Sequence, residues 1–144
     1  MMREVTIGEA ARESGVKVTT IRFYEGRGLL PAPPRSDGGQ RLYGADDIAR
    51  LRFIRHARDL GFDMAALADL LDLAGHPDAP CANADRLARD RLADVRRRID
   101  ALRALESELE RMITACRHDR VDRCAVIESL ADHAHCGGPH ARLD

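Results

Sequence analysis

Residues 81 to 115 contain neither glycine nor proline, so the backbone can carry one unbroken helix across the whole stretch. Ala88, Leu92, Val95, Ile99, Leu102, Leu109 and Ile113 recur along it in alternating three- and four-residue steps. Glu106 interrupts the row, with Leu105 beside it. Nearly five heptads of this pattern describe a coiled-coil seam. The simpler alternative is an amphipathic helix packed on its own domain. A helix of this length spans about 50 Å, and nothing else in 144 residues is large enough to cover it. A second copy of the chain is therefore the expected partner, and a homodimer the expected state. The spacing leaves open whether the two helices run parallel or antiparallel.

The rest of the chain is consistent with a mainly α fold. Two Tyr, three Phe and no Trp supply too few aromatics for a sandwich or barrel core. Thr6, with Glu9 three residues on, has the form of a capping box and opens a helix over Ile7–Glu13, stopped by Ser14-Gly15. Thr19 or Thr20 can open a second helix through Ile21, Phe23 and Tyr24, ending near Gly26 to Gly28. Two short helices across a glycine-containing turn make a helix-turn-helix pattern. Pro31, Pro33 and Pro34 forbid helix, and Arg35 to Tyr43 reads as a small hairpin with Asp37-Gly38-Gly39 at its tip. A third helix, capped near Asp46, carries Ile48, Leu51 and Ile54 and ends at Gly61; a fourth covers Met64–Leu73. The predicted domains are 1–75, 81–115 and 116–144, separated by the linker from Gly75 to Pro80. The last comprises a polar loop Cys116–Cys124, a short helix Ala125–Ala134 and a His/Cys tail.

The net charge is −1, but it is unevenly divided. Residues 1–58 hold eleven Lys and Arg against seven Asp and Glu, and the remainder twelve against seventeen. A positive front half suits an anionic partner. Arg22, Tyr24, Arg35, Arg41 and Tyr43 combine guanidinium groups with phenols on the helix-turn-helix and hairpin. Such groups position a protein on DNA phosphates, while Thr19 and Thr20 at the second helix can reach base edges or phosphates. Taken singly, each Arg is as well explained as a solvated charge and each Tyr as a core edge. Together they point to double-stranded DNA. No apolar run approaches the roughly 18 residues of a membrane span, and the first fifteen residues show no secretory pattern. The expected location is cytoplasmic, and no enzymatic constellation stands out.

Cysteines occur at 81, 116, 124 and 136. In a reducing compartment, clustered thiols indicate metal or redox chemistry more often than disulfides. Cys81 and Cys116 sit at opposite ends of the long helix and cannot share a ligand within one chain. In an antiparallel dimer, Cys81 of one subunit would meet Cys116 and Cys124 of the other, twice per dimer by symmetry. Thiolates are soft donors that suit zinc, cadmium, lead, mercury and cuprous ion. His118 in the loop offers a nitrogen donor, and His133, His135, Cys136 and His140 form a denser accessory group in the tail.

The order Thr6-Ile-Gly-Glu-Ala-Ala, Thr20-Ile-Arg-Phe-Tyr-Glu, Gly28-Leu-Leu and Arg41-Leu-Tyr resembles the MerR family of bacterial transcription regulators, from about residue 4 to 130. The long helix and the cysteine loop place it with the metal-sensing branch. That resemblance implies a winged helix-turn-helix domain, an antiparallel dimerisation helix and a metal-binding loop. It implies an activator that holds a promoter with overlong spacing, distorts it on metal binding and so presents it to RNA polymerase. Arg22 and Tyr24 match the family's second-helix positions, and Arg41 and Tyr43 its wing positions; Gln40 stands where many members have an aromatic. Monovalent sensors resemble this loop but carry serine at the position of Cys81, so the third thiol implies a divalent ion: zinc, cadmium or lead, with mercury also compatible. Adjacent cysteines, frequent in zinc sensors, are replaced here by Cys116-Arg117, which departs from a paired zinc site. The competing readings are a thiol-, redox- or organic-ligand-responsive regulator on the same scaffold, and a thiol oxidoreductase, which would lack its usual compact Cys-x-x-Cys motif.

Overall fold

A computed structural model describes residues 3–116, 120–138 and 140. Six α-helices and two 3-10 turns form among them: α1 (Ile7–Ser14), α2 (Val18–Gly26), α3 (Ala45–Asp59), α4 (Met64–Ala74), α5 (Ala82–Ala115) and α6 (Ala125–Ala131), with 3-10 turns at Val121–Arg123 and His133–His135. The chain divides into two compact units between Leu87 and Ala88.

In the first unit, α1 starts where the sequence places its cap. Thr6 Oγ1 accepts the Glu9 N–H at 3.3 Å, while the Glu9 carboxylate lies 3.8 Å from Arg3. The helix ends at Gly15, whose φ of 75° closes the turn as its N–H donates to the Ala11 carbonyl. The buried Ser14 hydroxyl accepts the Val16 N–H at 3.2 Å, tightening the turn into α2. Helix α2 begins one to two residues before the predicted threonine caps. Lys17 occupies the cap without a side-chain bond, so Thr19 and Thr20 lie inside the first turn. α3 likewise starts earlier than expected: Gly44, not Asp46, is the cap, and its N–H donates to Asp47 Oδ2 at 2.9 Å. Asp63 caps α4 by accepting the Ala66 N–H at 2.8 Å.

One apolar core holds this unit together. Ile21, Leu30, Tyr43, Leu51, Ile54 and Leu67 are its largest fully buried side chains. The predicted hairpin is present in minimal form. Arg35 and Arg41 make one antiparallel bridge, and the Gly39 N–H closes the tip onto the Ser36 carbonyl at 2.9 Å. A second bridge, with reciprocal 2.8 Å bonds between Val5 and Tyr43, ties the base of the hairpin to the segment leading into α1. Pro31, Pro33 and Pro34 cannot supply the amide donors that a longer ladder needs.

Helix α5 covers 34 residues, as its composition predicts. Its predicted seam faces outward in the single chain: Leu92, Ile99, Leu102, Leu109 and Ile113 are all exposed. In the second unit, Glu108 and Met112 are buried instead. Arg111 donates to Glu108 Oε1 at 2.8 Å and to the buried Ser129 Oγ of α6 at 2.8 Å. The Gly137 N–H donates to Glu108 Oε2 at 2.9 Å. Arg111's guanidinium holds the Glu108 carboxyl below the usual carboxylate range. α6 is three residues shorter than predicted. Asp132 turns to extended backbone and its carboxylate accepts the Ala134 N–H, which starts a 3-10 turn in place of further helix.

The turn between α1 and α2 places a strict demand on the backbone at Gly15, whose φ is 75°. A Cβ on Gly15 would sit in the left-handed region and 1.9 Å from the Arg55 guanidinium. Gly15→Ala should lower the unfolding free energy by about 1–2 kcal/mol, read from urea unfolding at fixed chain concentration. Unchanged unfolding would mean the turn tolerates a side chain.

Candidate nucleic-acid interface and metal centre

The buried face of α2 carries Ile21 and Tyr24, and Thr19, Arg22 and Phe23 take the outward face. Phe23 is 52% exposed, with the Arg27 guanidinium 5.7 Å above its ring. Sequence reasoning placed Phe23 among the apolar residues of the helix, but the spacing of Thr19, Arg22 and Phe23 already marks them as one face. Thr19 is fully outward and Thr20 half-buried.

The two tyrosines lie elsewhere. Tyr24 is nearly buried and Tyr43 is 0% exposed, so neither ring presents itself to a partner. The Tyr43 hydroxyl donates to the Glu25 carboxylate, which also takes the Arg41 guanidinium. Glu25 is itself buried, with 6% of its side chain exposed. It links the end of α2 to the hairpin across 18 residues of sequence. Burial pushes the Tyr43 phenol above its ordinary range, while the charges of Arg41, Arg22 and Arg35 oppose that shift. Glu25 was legible as part of the Ile-Arg-Phe-Tyr-Glu run but not as a tether, because its partners come from a distant segment.

These contacts shape a groove of about 430 Å³, lined by Thr6, Ile7, Arg22, Arg35, Gly39, Gln40 and Arg41. Arg35 stiffens the hairpin tip by donating to the Gly39 carbonyl at 2.8 Å. Three guanidinium groups on a helix-turn-helix and an adjoining hairpin form a cradle suited to phosphate oxygens.

All four cysteines are free thiols. Cys81 is exposed in the first unit, and its carbonyl accepts the Asp85 N–H at 3.0 Å as α5 begins. Cys116 and Cys124 both belong to the second unit. Cys124 precedes α6; the Ile127 backbone N–H is the main cause that holds its thiol below its ordinary range, helped by the Val126 N–H and the Cys116 thiol against desolvation. His118 lies outside the described residues. In the tail, His133, Cys136 and His140 come together, their donor atoms all within 4.8 Å of one another. His135 is separated from that group and lines a polar hollow with Arg111, Arg123 and Ser129.

A basic helix-turn-helix with a hairpin beside it, joined in sequence to a long helix with an uncovered seam, defines a DNA-binding regulator built to pair. The MerR HTH family of regulatory proteins matches residues 5–74, and the MerR DNA-binding family matches residues 48–112. The mercuric resistance operon regulatory protein of Serratia marcescens is 40% identical over 131 residues, covering 90% of this chain and 89% of its own. The HTH-type transcriptional regulator ZntR of Escherichia coli (strain K12) is 36% identical over 132 residues, covering 89% and 93%. The crystal structure of the transcription regulator PbrR691 from Ralstonia metallidurans CH34 in complex with lead(II) superposes with a TM-score of 0.74 at 38% identity, covering 90% of this chain and 99% of that one. The chain belongs to the MerR family of HTH regulatory proteins. It is a transcription regulator and not an enzyme. No helix among the described residues is long and apolar enough to cross a membrane.

Two substitutions separate the groove from its scaffold. Arg22→Ala should weaken operator binding and reduce the slope of log affinity against log salt by about one; an unchanged slope would mean Arg22 neutralises no phosphate. Tyr43→Phe should cost about 1.5–3 kcal/mol of stability through the lost bond to a charged group. Because the ring is buried, it should leave the salt slope unchanged.

Proposed function

We propose that this chain is a metal-responsive activator that binds promoter DNA as a homodimer in the cytoplasm. The observation that carries the reading is the placement of Cys116 and Cys124 in one unit just beyond the end of a 34-residue helix that starts next to Cys81, with the Cys116 thiol among the groups that hold Cys124 below its ordinary range. In an antiparallel pair of α5 helices, Cys81 of the partner subunit completes a three-thiol site. The exposed row Leu92, Ile99, Leu102, Leu109 and Ile113 is the surface over which the two helices join.

Three sulfurs suit a soft or borderline divalent ion. Zinc, cadmium and lead are the favoured inducers, with mercury next; the third thiol argues against cuprous ion. Cys81, Cys116 and Cys124 would hold the ion, which would supply a soft Lewis-acid centre for thiolates of both subunits. The part-buried Glu108–Arg111–Ser129 network fixes α6 against α5. The two grooves of the dimer, each with Arg22, Arg35 and Arg41, hold the promoter. A change in their relative setting distorts the DNA and presents it to RNA polymerase. The lead(II) complex of PbrR691 and the mercuric resistance name of the Serratia protein support the metal reading. The influence of the Cys116 thiol on Cys124 also favours one alternative, a dithiol redox switch on the same scaffold.

Titration of the reduced dimer with zinc, cadmium, lead, mercury and copper(I), following thiolate-to-metal absorption, tests the reading. One divalent ion per chain should contribute a three-thiolate absorption that is lost in Cys81→Ser, Cys116→Ser and Cys124→Ser. Each variant should lose metal-induced transcription and keep operator affinity within a few-fold. Absorption indifferent to Cys81 would overturn the cross-subunit site, and a response to oxidant without metal would favour the redox switch. Leu102→Asp should shift the chain to monomer in sedimentation at micromolar concentration; an intact dimer would place the contact elsewhere.

A further inference from the structure

We propose that His133, Cys136 and His140 form a second metal site, independent of Cys81, Cys116 and Cys124, that takes a borderline divalent ion such as zinc. Nothing in this inference depends on the chain's response to metal at the three cysteines. The donor atoms of the three residues lie within 4.8 Å of one another. Cys136 Sγ and His140 Nε2 are 3.8 Å apart, and the His133 and His140 rings have centroids 4.9 Å apart. Zinc bonds of about 2.0–2.1 Å to nitrogen and about 2.3 Å to sulfur place two tetrahedral ligands roughly 3.5 Å from each other. The sulfur and the imidazole therefore need to move by only a few tenths of an ångström.

The backbone carrying His133 and Cys136 is held in place. Asp132 accepts the Ala134 N–H at 2.9 Å, and the Cys136 N–H donates to the His133 carbonyl at 2.9 Å, so the first two donors flank a closed 3-10 turn. The next residue is anchored to α5 through the Gly137 N–H and the buried Glu108 carboxylate. Its approach is close: a Cβ at Gly137 would lie 2.7 Å from Arg111 Cδ. The spacing His-x2-Cys-x3-His resembles that of paired zinc ligands. Two nitrogens and one sulfur suit zinc better than the larger, softer ions favoured by three sulfurs. The fourth position is left for water. His133 and His140 are exposed and Cys136 half-buried, so an ion can enter without opening the unit.

The test uses full-length reduced protein and cobalt(II) as a spectroscopic stand-in for zinc, with zinc competition afterwards. The Cys81→Ser/Cys116→Ser/Cys124→Ser variant should still bind one cobalt ion per chain, with d–d bands of tetrahedral intensity and a charge-transfer band of one thiolate. Adding Cys136→Ser should remove the charge-transfer band, and adding His133→Gln with His140→Gln should weaken binding at least tenfold. In the otherwise unaltered chain, His133→Gln/His140→Gln should reduce bound zinc from two ions per chain to one, with helicity and dimer mass unchanged. Absence of cobalt binding by a folded triple-serine variant would overturn the site. So would two ions per chain retained after loss of both imidazoles. Cobalt binding by the triple-serine variant, with no Cys81-dependent absorption in the otherwise unaltered chain, would support this site and remove the inducer site instead.

Discussion

The Glu25 carboxylate is the point on which the DNA-binding unit turns. It is buried, it accepts the Tyr43 hydroxyl, and it pairs with Arg41. A buried carboxylate without partners would be expensive, so the end of α2 and the base of the hairpin are locked together wherever the unit is folded. Val5 adds backbone bonds to the same tyrosine. The consequence is that Arg22 on α2 and Arg35 and Arg41 on the hairpin share one groove with fixed spacing. Pre-set spacing matters for a double helix, whose phosphates are themselves regularly spaced.

The second unit follows a different logic. Its internal order rests on Glu108, Arg111, Ser129 and the Gly137 N–H, a polar arrangement in place of a large apolar core. Such a network is directional and holds specific segments in register. It secures both the helix that follows Cys124 and the turn that carries His133 and Cys136, so these three donors sit on braced backbone.

Much of the local chemistry was legible from the sequence. Thr6 capping α1, Gly15 closing it and the unbroken run from Ala82 to Ala115 all follow from neighbours a few residues apart. The departures had two sources, a distant partner and a local side chain competing with the helix. Tyr43 was read with the DNA-facing groups because its hydroxyl and nearby arginines suit phosphate; its ring is the largest fully buried side chain, and Glu25 takes the hydroxyl. α6 ends early because Asp132 satisfies the following amide with its own side chain, a competition that periodicity does not register. The donor-rich tail was visible as composition, but only the fold separates His135 from His133, Cys136 and His140.

The uncovered row along α5 bears on how much of the protein a cell can keep. A chain whose apolar stripe is shielded only by its twin has a stability that depends on its own abundance. At low copy number the solitary chain leaves Leu102, Leu109 and Ile113 in water, open to proteolysis and to non-specific adhesion. Synthesis above the pairing threshold yields a long-lived regulator, while synthesis below it yields little. In the proposed dimer, the stripe that joins two subunits thereby sets a floor on the concentration at which the switch exists at all.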